Sequence, residues 1–314
     1  MMKKYGLLLL LILLFAACST SKENQNQLGD RKAGSFVPFG DPFILLYKNA
    51  YYAYGTHSAD GIEVYKSNNL KKWKYLGLAL NKKDVWGGRW FWAPEVYHTN
   101  GKFYMYYSAD EHTCVAISDF PTGPFTQEKK QPVVTSEKTI DSSLFTDDDG
   151  RSYLFFVRFN DGNNIWVAEM NDDMQTVKSE TMHPCVHVSQ SWEKVWPRVN
   201  EGPFVVKHNN KYYMTYSANS YESPFYGVGC ATADAIMGQW TKYESNPVLQ
   251  KPGSLVGVGH NALFLDKKNR LMMVFHAHHD SHSIHPRRMC ITTVSFKDDT
   301  LRVSPRYFLP KIVK

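Results

Sequence analysis

The sequence predicts an all-β chain folded as a five-bladed β-propeller, and three features carry that reading. Apolar residues alternate or run in short blocks bounded by Gly, Asn, Asp and Pro, with almost no helical periodicity. One strand, turn, strand unit recurs five times: DPFILLYKNAYYAYGT from Asp41, APEVYHTNGKFYMYYSA from Ala93, DSSLFTDDDGRSYLFF from Asp141, EGPFVVKHNNKYYMTYSAN from Glu201 and HNALFLDKKNRLMMVFHA from His260. The starts lie 52, 48, 60 and 59 residues apart, room for a four-stranded blade with its loops, which is the period of a propeller.

Each unit supplies its elements in the same order. Three places after the start stands an apolar residue, Ile44, Val96, Leu144, Phe204 or Leu263. The turns Asn100-Gly101, Asp149-Gly150 and Asn209-Asn210 offer residues that tolerate positive φ. The second strands open on Tyr51-Tyr52, Phe103-Tyr104, Tyr153-Leu154, Tyr212-Tyr213 and Leu271-Met272, side chains that suit a half-buried pleated surface. A weaker echo follows, with a third strand ending in a turn plus an aromatic at Ser67 to Trp73, Ser118 to Phe125 and Asp234 to Trp240.

Ahead of the repeats, Lys3 and Lys4 precede an apolar run from Leu7 to Phe15 and then Ala16-Ala17-Cys18, the pattern of a signal peptide. The run is shorter than the roughly 20 residues a spanning helix needs. Its small residues ending in cysteine resemble the lipobox of bacterial lipoproteins, which implies a lipid attached to Cys18 and anchorage in the outer membrane, facing the periplasm or the cell surface. The expected organisation is a signal peptide over 1–18, a low-hydrophobicity tether over 19–36 and one propeller domain over 37–314, acting as a monomer.

The formal net charge is +6, and loss of Lys3 and Lys4 lowers it to +4. Basic residues are scattered in pairs such as Lys71/Lys72 and Lys129/Lys130, which excludes nucleic acid as the expected partner. Cys114, Cys185, Cys230 and Cys290 form no CxxC, so the common zinc and redox motifs are absent from the sequence. Cys114, Cys230 and Cys290 sit in apolar strand-like runs and read as buried thiols.

Propeller blades line the axis with their first strands, so the residues opening the units, Asp41, Ala93, Asp141, Glu201 and His260, are expected to form one column. Three carboxyls brought together repel and shift one another's pKa. Such a column points to chemistry rather than to structure.

In order and in register, Asp41-Pro42, Trp92-Ala93-Pro94-Glu95, Ile140-Asp141, Asn200-Glu201-Gly202-Pro203 and Gly259-His260 resemble the motifs of glycoside hydrolase family 43, across nearly everything from Val37 onward. The resemblance implies hydrolysis of glycosidic bonds with inversion. It implies Asp41 as general base, Glu201 as general acid and Asp141 as the residue that orients the acid and tunes its pKa. An inverting enzyme needs one carboxylate to activate water and one carboxyl to protonate the leaving oxygen, about 6.5–9.5 Å apart, and opposite walls of a channel suit that gap. Glu95 is read as a partner supporting the site rather than as an acid.

No required cofactor is implied, with His260 holding a hydrated calcium-like ion in the channel through waters. Histidine is an unusual calcium ligand, so an imidazole bonded to a neighbouring acid competes with that reading. An arginine of the last blade, Arg287 or Arg288, is implied on the sugar, and strand alternation lets one of them face inward. Aromatic platforms for sugar rings are sought among Trp86, Trp90, Phe91 and Trp92, then Trp192 and Trp196, then Tyr221, Phe225 and Tyr226, led by Trp90, Phe91, Trp92 and Tyr226. The run His276, His278, His279, His282 and His285 lacks zinc-like flanking ligands and reads as a loop beside the pocket. Asp147 to Gly150 lacks the EF-hand spacing and reads as a hairpin turn.

The expected substrate is plant cell-wall polysaccharide or its oligosaccharides, with α-L-arabinofuranose released. Many β-xylosidases of the family carry an additional C-terminal β-sandwich, and this chain ends soon after its fifth unit. β-Xylosidase, endo-xylanase or endo-arabinanase activity is the alternative, and a non-catalytic glycan-binding lipoprotein is the alternative of another class.

Overall fold

A computed structural model describes residues 31–195 and 198–314; the signal peptide, Cys18 and Trp196 lie outside the described residues. Five antiparallel sheets follow one another along the chain. The first blade comprises Gly40–Tyr47, Ala50–Thr56, Gly61–Ser67 and Lys72–Asn81, and the second Trp92–Thr99, Lys102–Ala109 and His112–Ser118. The third comprises Thr139–Thr146, Ser152–Phe159, Asn163–Glu169 and His183–Val186. The fourth has Asn200–His208, Lys211–Ala218, Gly227–Ala233 and Thr241–Lys242, and the fifth Gly259–Leu265, Leu271–Ala277, Arg288–Lys297 and Thr300–Phe308. The first strands of neighbouring blades touch in succession around the ring, so they line the axis. Lys311, Ile312 and Val313 then pair in parallel with Lys72, Trp73 and Lys74 on the outer edge of the first blade, which ties the chain's end to its beginning.

Turn chemistry and aromatic packing explain why the units close as they do. Lys48/Asn49, Asn100/Gly101 and Asn209/Asn210 all have positive φ, the backbone that two-residue hairpins require. Blades stack through rings such as Phe145 on Tyr212 (5.8 Å, 82°) and Phe155 on Trp240 (5.9 Å, 87°), edge-to-face pairs that each add about 0.5–1.5 kcal/mol beyond their burial. Cys114, Cys230 and Cys290 are buried and unpaired.

The start of each first strand carries a bulge, and here the expected axial column is corrected. Gly40 pairs with Thr56, Trp92 with Ser108, Ile140 with Val157, Glu201 with Ser217 and Gly259 with His276, and the register shifts directly afterwards. The next residue is left-handed in every blade: Asp41 (φ 46°), Ala93 (46°), Asp141 (55°), Gly202 (53°) and His260 (46°). Glu201 is therefore the counterpart of Gly40, Trp92, Ile140 and Gly259, one place before the position of Asp41. In the fourth blade a glycine takes the left-handed place, which it occupies without steric cost.

Each bulge leaves an N–H that must find an acceptor, and the preceding blade supplies it. Ala93 donates to Thr56 Oγ1 (2.9 Å), Asp141 to Ser108 Oγ (3.0 Å), His260 to Ser217 Oγ (2.7 Å) and Asp41 to His276 Nδ1 (3.1 Å). At the third-to-fourth joint the equivalent residue is Val157, which has no side-chain acceptor. The Gly202 N–H donates to the Asp141 carboxyl instead.

The tether expected to run to residue 36 is already docked from Arg31. Arg31 pairs with Glu63, the Gly34 N–H donates to Ile312 O (2.8 Å) and the Ile312 N–H to Ser35 O (2.9 Å), because the last strand leaves backbone groups that this segment satisfies. Among the described residues no helix is long and apolar enough to cross a membrane.

Candidate active site

The inner ends of the blades enclose a cavity of about 340 Å³ lined by Asp41, Asp141, Glu201, His260, Arg287 and Trp92, with Thr56, Asn163, Tyr221 and His285 also on its wall. That volume lies at the small end of the range for ligand pockets. A larger groove of about 540 Å³ beside Lys194 and Arg198 contains one carboxylate, Asp161, which is paired with Arg198, and so offers no acid and base together.

Asp41 stands in a fork of donors. Arg287 Nη1 donates to Oδ1 (2.7 Å) and Nη2 to Oδ2 (3.0 Å), while Thr56 Oγ1 donates to Oδ2 (2.6 Å). Gly40 makes room for this fork, since a Cβ there would lie 1.9 Å from Arg287 Cζ. Burial alone would raise the pKa of Asp41, but the charge of Arg287 holds it well below the usual carboxylate range. His276 Nδ1 accepts the Asp41 N–H and is therefore unprotonated, in keeping with burial and the neighbouring Arg287, which push its pKa down to about 3.

Glu201 faces the same cavity with neutral partners. Tyr226 Oη donates to Oε1 (2.8 Å) and Asn163 Nδ2 to Oε2 (3.2 Å). Burial raises its pKa, the two donors oppose that, and the charge of Asp41 adds to it, leaving Glu201 at about 7. Asp141 is also pushed well above its ordinary value, first by burial and then by Glu201 and Asp41, against the Gly202 N–H. The expectation that a charged Asp141 raises the acid is thus corrected. Burial dominates for both groups, Asp141 is itself pushed up, and the pair retains a proton towards neutrality.

His260 Nδ1 lies 3.4 Å from Asp41 Oδ1 and 3.8 Å from Asp141 Oδ2, so the imidazole sits between the two acids. The residues do not fit a directly ligated calcium ion. Both Asp41 oxygens are engaged by Arg287 and Thr56, and among the described residues no three His, Cys, Asp or Glu side chains are grouped to hold a metal, whereas calcium takes about 6–8 oxygen ligands.

The remaining expected contacts divide. Trp92 lines the pocket, and Trp90, 40% exposed, stacks on it (5.6 Å, 17°). Phe91 is corrected to a core residue: it is 1% exposed and packs on Tyr107, because alternation along the segment turns it inward. Tyr226 is fully buried and holds Glu201 rather than offering a platform. Arg287 faces the pocket, while Arg288 turns away to His278 O (3.0 Å) and over Phe36, as strand alternation requires. Tyr221 lines the pocket; Trp86 packs on His112, Trp192 bonds Gln190 and Phe225 lies under Lys251.

The histidine run is not one loop. His276 is a fully buried strand residue and His278 is also buried, whereas His285 reaches the pocket. Glu95 is buried and does not line the cavity, accepts a hydrogen bond from the Tyr97 hydroxyl, and burial pushes its pKa up to about 8. Asp147 pairs with Lys207 (2.6 Å) in a hairpin turn. Sequence reasoning missed Thr56 and Asn163 and the contact of His276 with Asp41. A signal for Thr56 and His276 was present, since a polar residue closes an otherwise aromatic or apolar second strand in YYAYGT and LMMVFH.

A five-bladed propeller whose axial pocket opposes an ionised carboxylate to a proton-holding carboxyl pair is the architecture of a glycoside hydrolase. The model of the glycosyl hydrolases family 43 matches residues 37–301, and the chain belongs to that family. In structure it is similar to an endo-1,4-beta-xylanase from Bacteroides thetaiotaomicron, with a TM-score of 0.86 and 47% identity over 89% of this chain and 98% of that one. A beta-D-galactofuranosidase of Aspergillus niger is 25% identical over 83% of this chain and 80% of its own length. An extracellular exo-alpha-(1->5)-L-arabinofuranosidase of Streptomyces avermitilis is 27% identical over 83% of this chain and 57% of its own length.

Proposed function

We propose that this enzyme removes α-L-arabinofuranosyl groups, with inversion, from plant cell-wall polysaccharide or its oligosaccharides. The observation that carries the mechanism is the opposed setting of the acids around one cavity: Asp41 lies in the fork of Arg287, which favours the carboxylate, while Glu201 has only the neutral donors Tyr226 and Asn163, which leaves it free to keep a proton. A water beside Asp41 attacks the anomeric carbon and passes a proton to that carboxylate. The bond from the anomeric carbon to the glycosidic oxygen breaks as Glu201 protonates the leaving oxygen. Asp141 orients Glu201 and shares its proton, Arg287 keeps Asp41 anionic, and Trp92 offers the sugar an aromatic face. The scheme uses side chains of this chain alone, and a chelator is expected to leave the rate unchanged.

The furanose preference draws on the relatives. α-L-Arabinofuranose and β-D-galactofuranose share their ring configuration, so a pocket shaped for one ring serves both activities named for the curated relatives. Cleavage of β-1,4-linked xylose is the second reading, favoured by the 47% identical neighbour called an endo-1,4-beta-xylanase. The test is a product profile on arabinan, arabinoxylan and xylan, with the anomer followed by proton NMR. Arabinose released first as the inverted anomer supports the proposal. Xylose or xylo-oligosaccharides from xylan would replace it with the second reading, and binding without any released sugar would make the chain a lectin.

The Lys3-to-Cys18 pattern supports export and anchorage by a lipid on Cys18. Cys18→Ala is expected to move the protein from the membrane fraction to the soluble one.

A further inference from the structure

We propose that His276 is a positioning residue that couples the base wall of the pocket to the acid wall through Tyr226. The proposal rests on the roles given above to Asp41 and Glu201. At the equivalent place in the other blades stand Thr56, Ser108, Val157 and Ser217, and all three hydroxyls among them accept the bulge N–H of the next blade. A hydroxyl is thus sufficient to cap a joint. The imidazole at the joint beside Asp41 adds a flat face.

That face is used. The His276 ring stacks on Tyr226 with centroids 5.5 Å apart and planes at 15°, and Tyr226 Oη donates to Glu201 Oε1 at 2.8 Å. From the same imidazole, Nδ1 accepts the Asp41 N–H at 3.1 Å. Two stacked rings therefore form a strut from the backbone of the base to the carboxyl of the acid. Both rings are fully buried, and Gly259 closes against Tyr226, since a Cβ there would lie 2.2 Å from Tyr226 Cε1. His276 Nε2 is buried without a partner, the kind of exception that calls for an explanation; retention for position supplies one. Neither ring lines the cavity, so the strut acts through the two carboxyls rather than on the sugar.

The two jobs separate by substitution. His276→Ser keeps an acceptor for the Asp41 N–H and removes the stack; His276→Phe keeps the stack and removes the acceptor. Rates on nitrophenyl arabinofuranoside, whose leaving group needs little protonation, are compared with rates on an arabino-oligosaccharide across pH. Misplacement by about 1 Å costs up to roughly a hundredfold. His276→Phe is expected to lose roughly tenfold to a hundredfold in kcat on both substrates, with KM unchanged. His276→Ser is expected to lose mainly on the oligosaccharide and to move the alkaline limb upward, because the Tyr226 bond that favours ionised Glu201 is no longer held. Tyr226→Phe, which keeps the stack and lacks the donor, should reproduce that upward shift and keeps the test open if a His276 variant fails to fold. Folded His276→Ser and Tyr226→Phe variants with wild-type limbs and an unchanged ratio between the two substrates, or a folded His276→Phe with wild-type kcat, would overturn the strut. Asp41→Asn and Glu201→Gln run alongside: if either retains full activity on the oligosaccharide the assigned roles fail, and if both lose it while the His276 and Tyr226 variants behave as wild type, the strut alone fails.

Discussion

Two walls of one cavity hold carboxyls that are withdrawn from water yet ionise in opposite senses. On the first wall Asp41 sits in the fork of Arg287 with Thr56 beside it; on the other, Glu201 has only the neutral donors Tyr226 and Asn163, with Asp141 as its neighbour. Burial pushes all three pKa values up. The difference is one guanidinium. Its charge lowers Asp41 far enough to overcome burial, and the ionised Asp41 in turn helps to keep the proton on the opposite wall. A single buried arginine thus separates a base from an acid.

The most severe way to break this contrast is to remove the carboxyls themselves. Asp41→Asn is expected to cost about 10⁴-fold on every substrate, whereas Glu201→Gln should cost about 10²- to 10⁴-fold on natural glycosides and far less on nitrophenyl glycosides. Equal losses on all substrates, measured as kcat/KM, would erase the division of labour. Taking away the guanidinium comes next. Arg287→Met should cost roughly tenfold to a hundredfold at neutral pH and raise the pKa of Asp41, so that activity appears only at higher pH; an unmoved acidic limb would show that Arg287 does not set the first wall.

The second wall is sharpened by pH. Glu201 must be protonated to act, so kcat/KM is expected to fall as pH rises through about 7. Asp141→Asn replaces a carboxyl that keeps its own proton with a neutral amide, so that limb should stay in place while kcat falls as Glu201 loses its orienting neighbour; a limb moved downward would show that Asp141 carries charge. The smallest effect concerns stability. Glu95 has a folded pKa of about 8 against an ordinary 4.5, so the folded chain binds the extra proton. Its contribution is fully present below about 4.5 and is lost as pH rises through about 8. The slope approaches at most about 1.4 kcal/mol per pH unit for one proton. Urea unfolding across that window should show a shallower decline in Glu95→Gln than in the wild type.

Much of the site could be read before folding was considered. Asp41, Asp141 and Glu201 were evident because each lies at the start of a repeated unit, and Trp92 and His260 because they belong to the same motifs. Thr56 and the cap formed by His276 were not, since one polar residue at the end of an aromatic strand resembles any other until its neighbour across the joint is known. Phe91, Tyr226 and Arg288 are the reverse case. Their residue types suit sugar binding, but the side of the strand or loop they occupy points them into the core, at the acid, or away from the pocket.

The chain alone was enough for the five blades, their turns and the meeting of three acids, because alternation, turn residues and repeat spacing are local properties that survive any detail of packing. It could not tell that Glu201 precedes the left-handed place while Asp41 and Asp141 occupy it, nor which acid keeps its proton. Register at a bulge depends on which strand lies alongside, and a pKa depends on burial and on charges brought from positions as distant in sequence as Asp41 and Arg287. Those quantities exist only once the ring has closed.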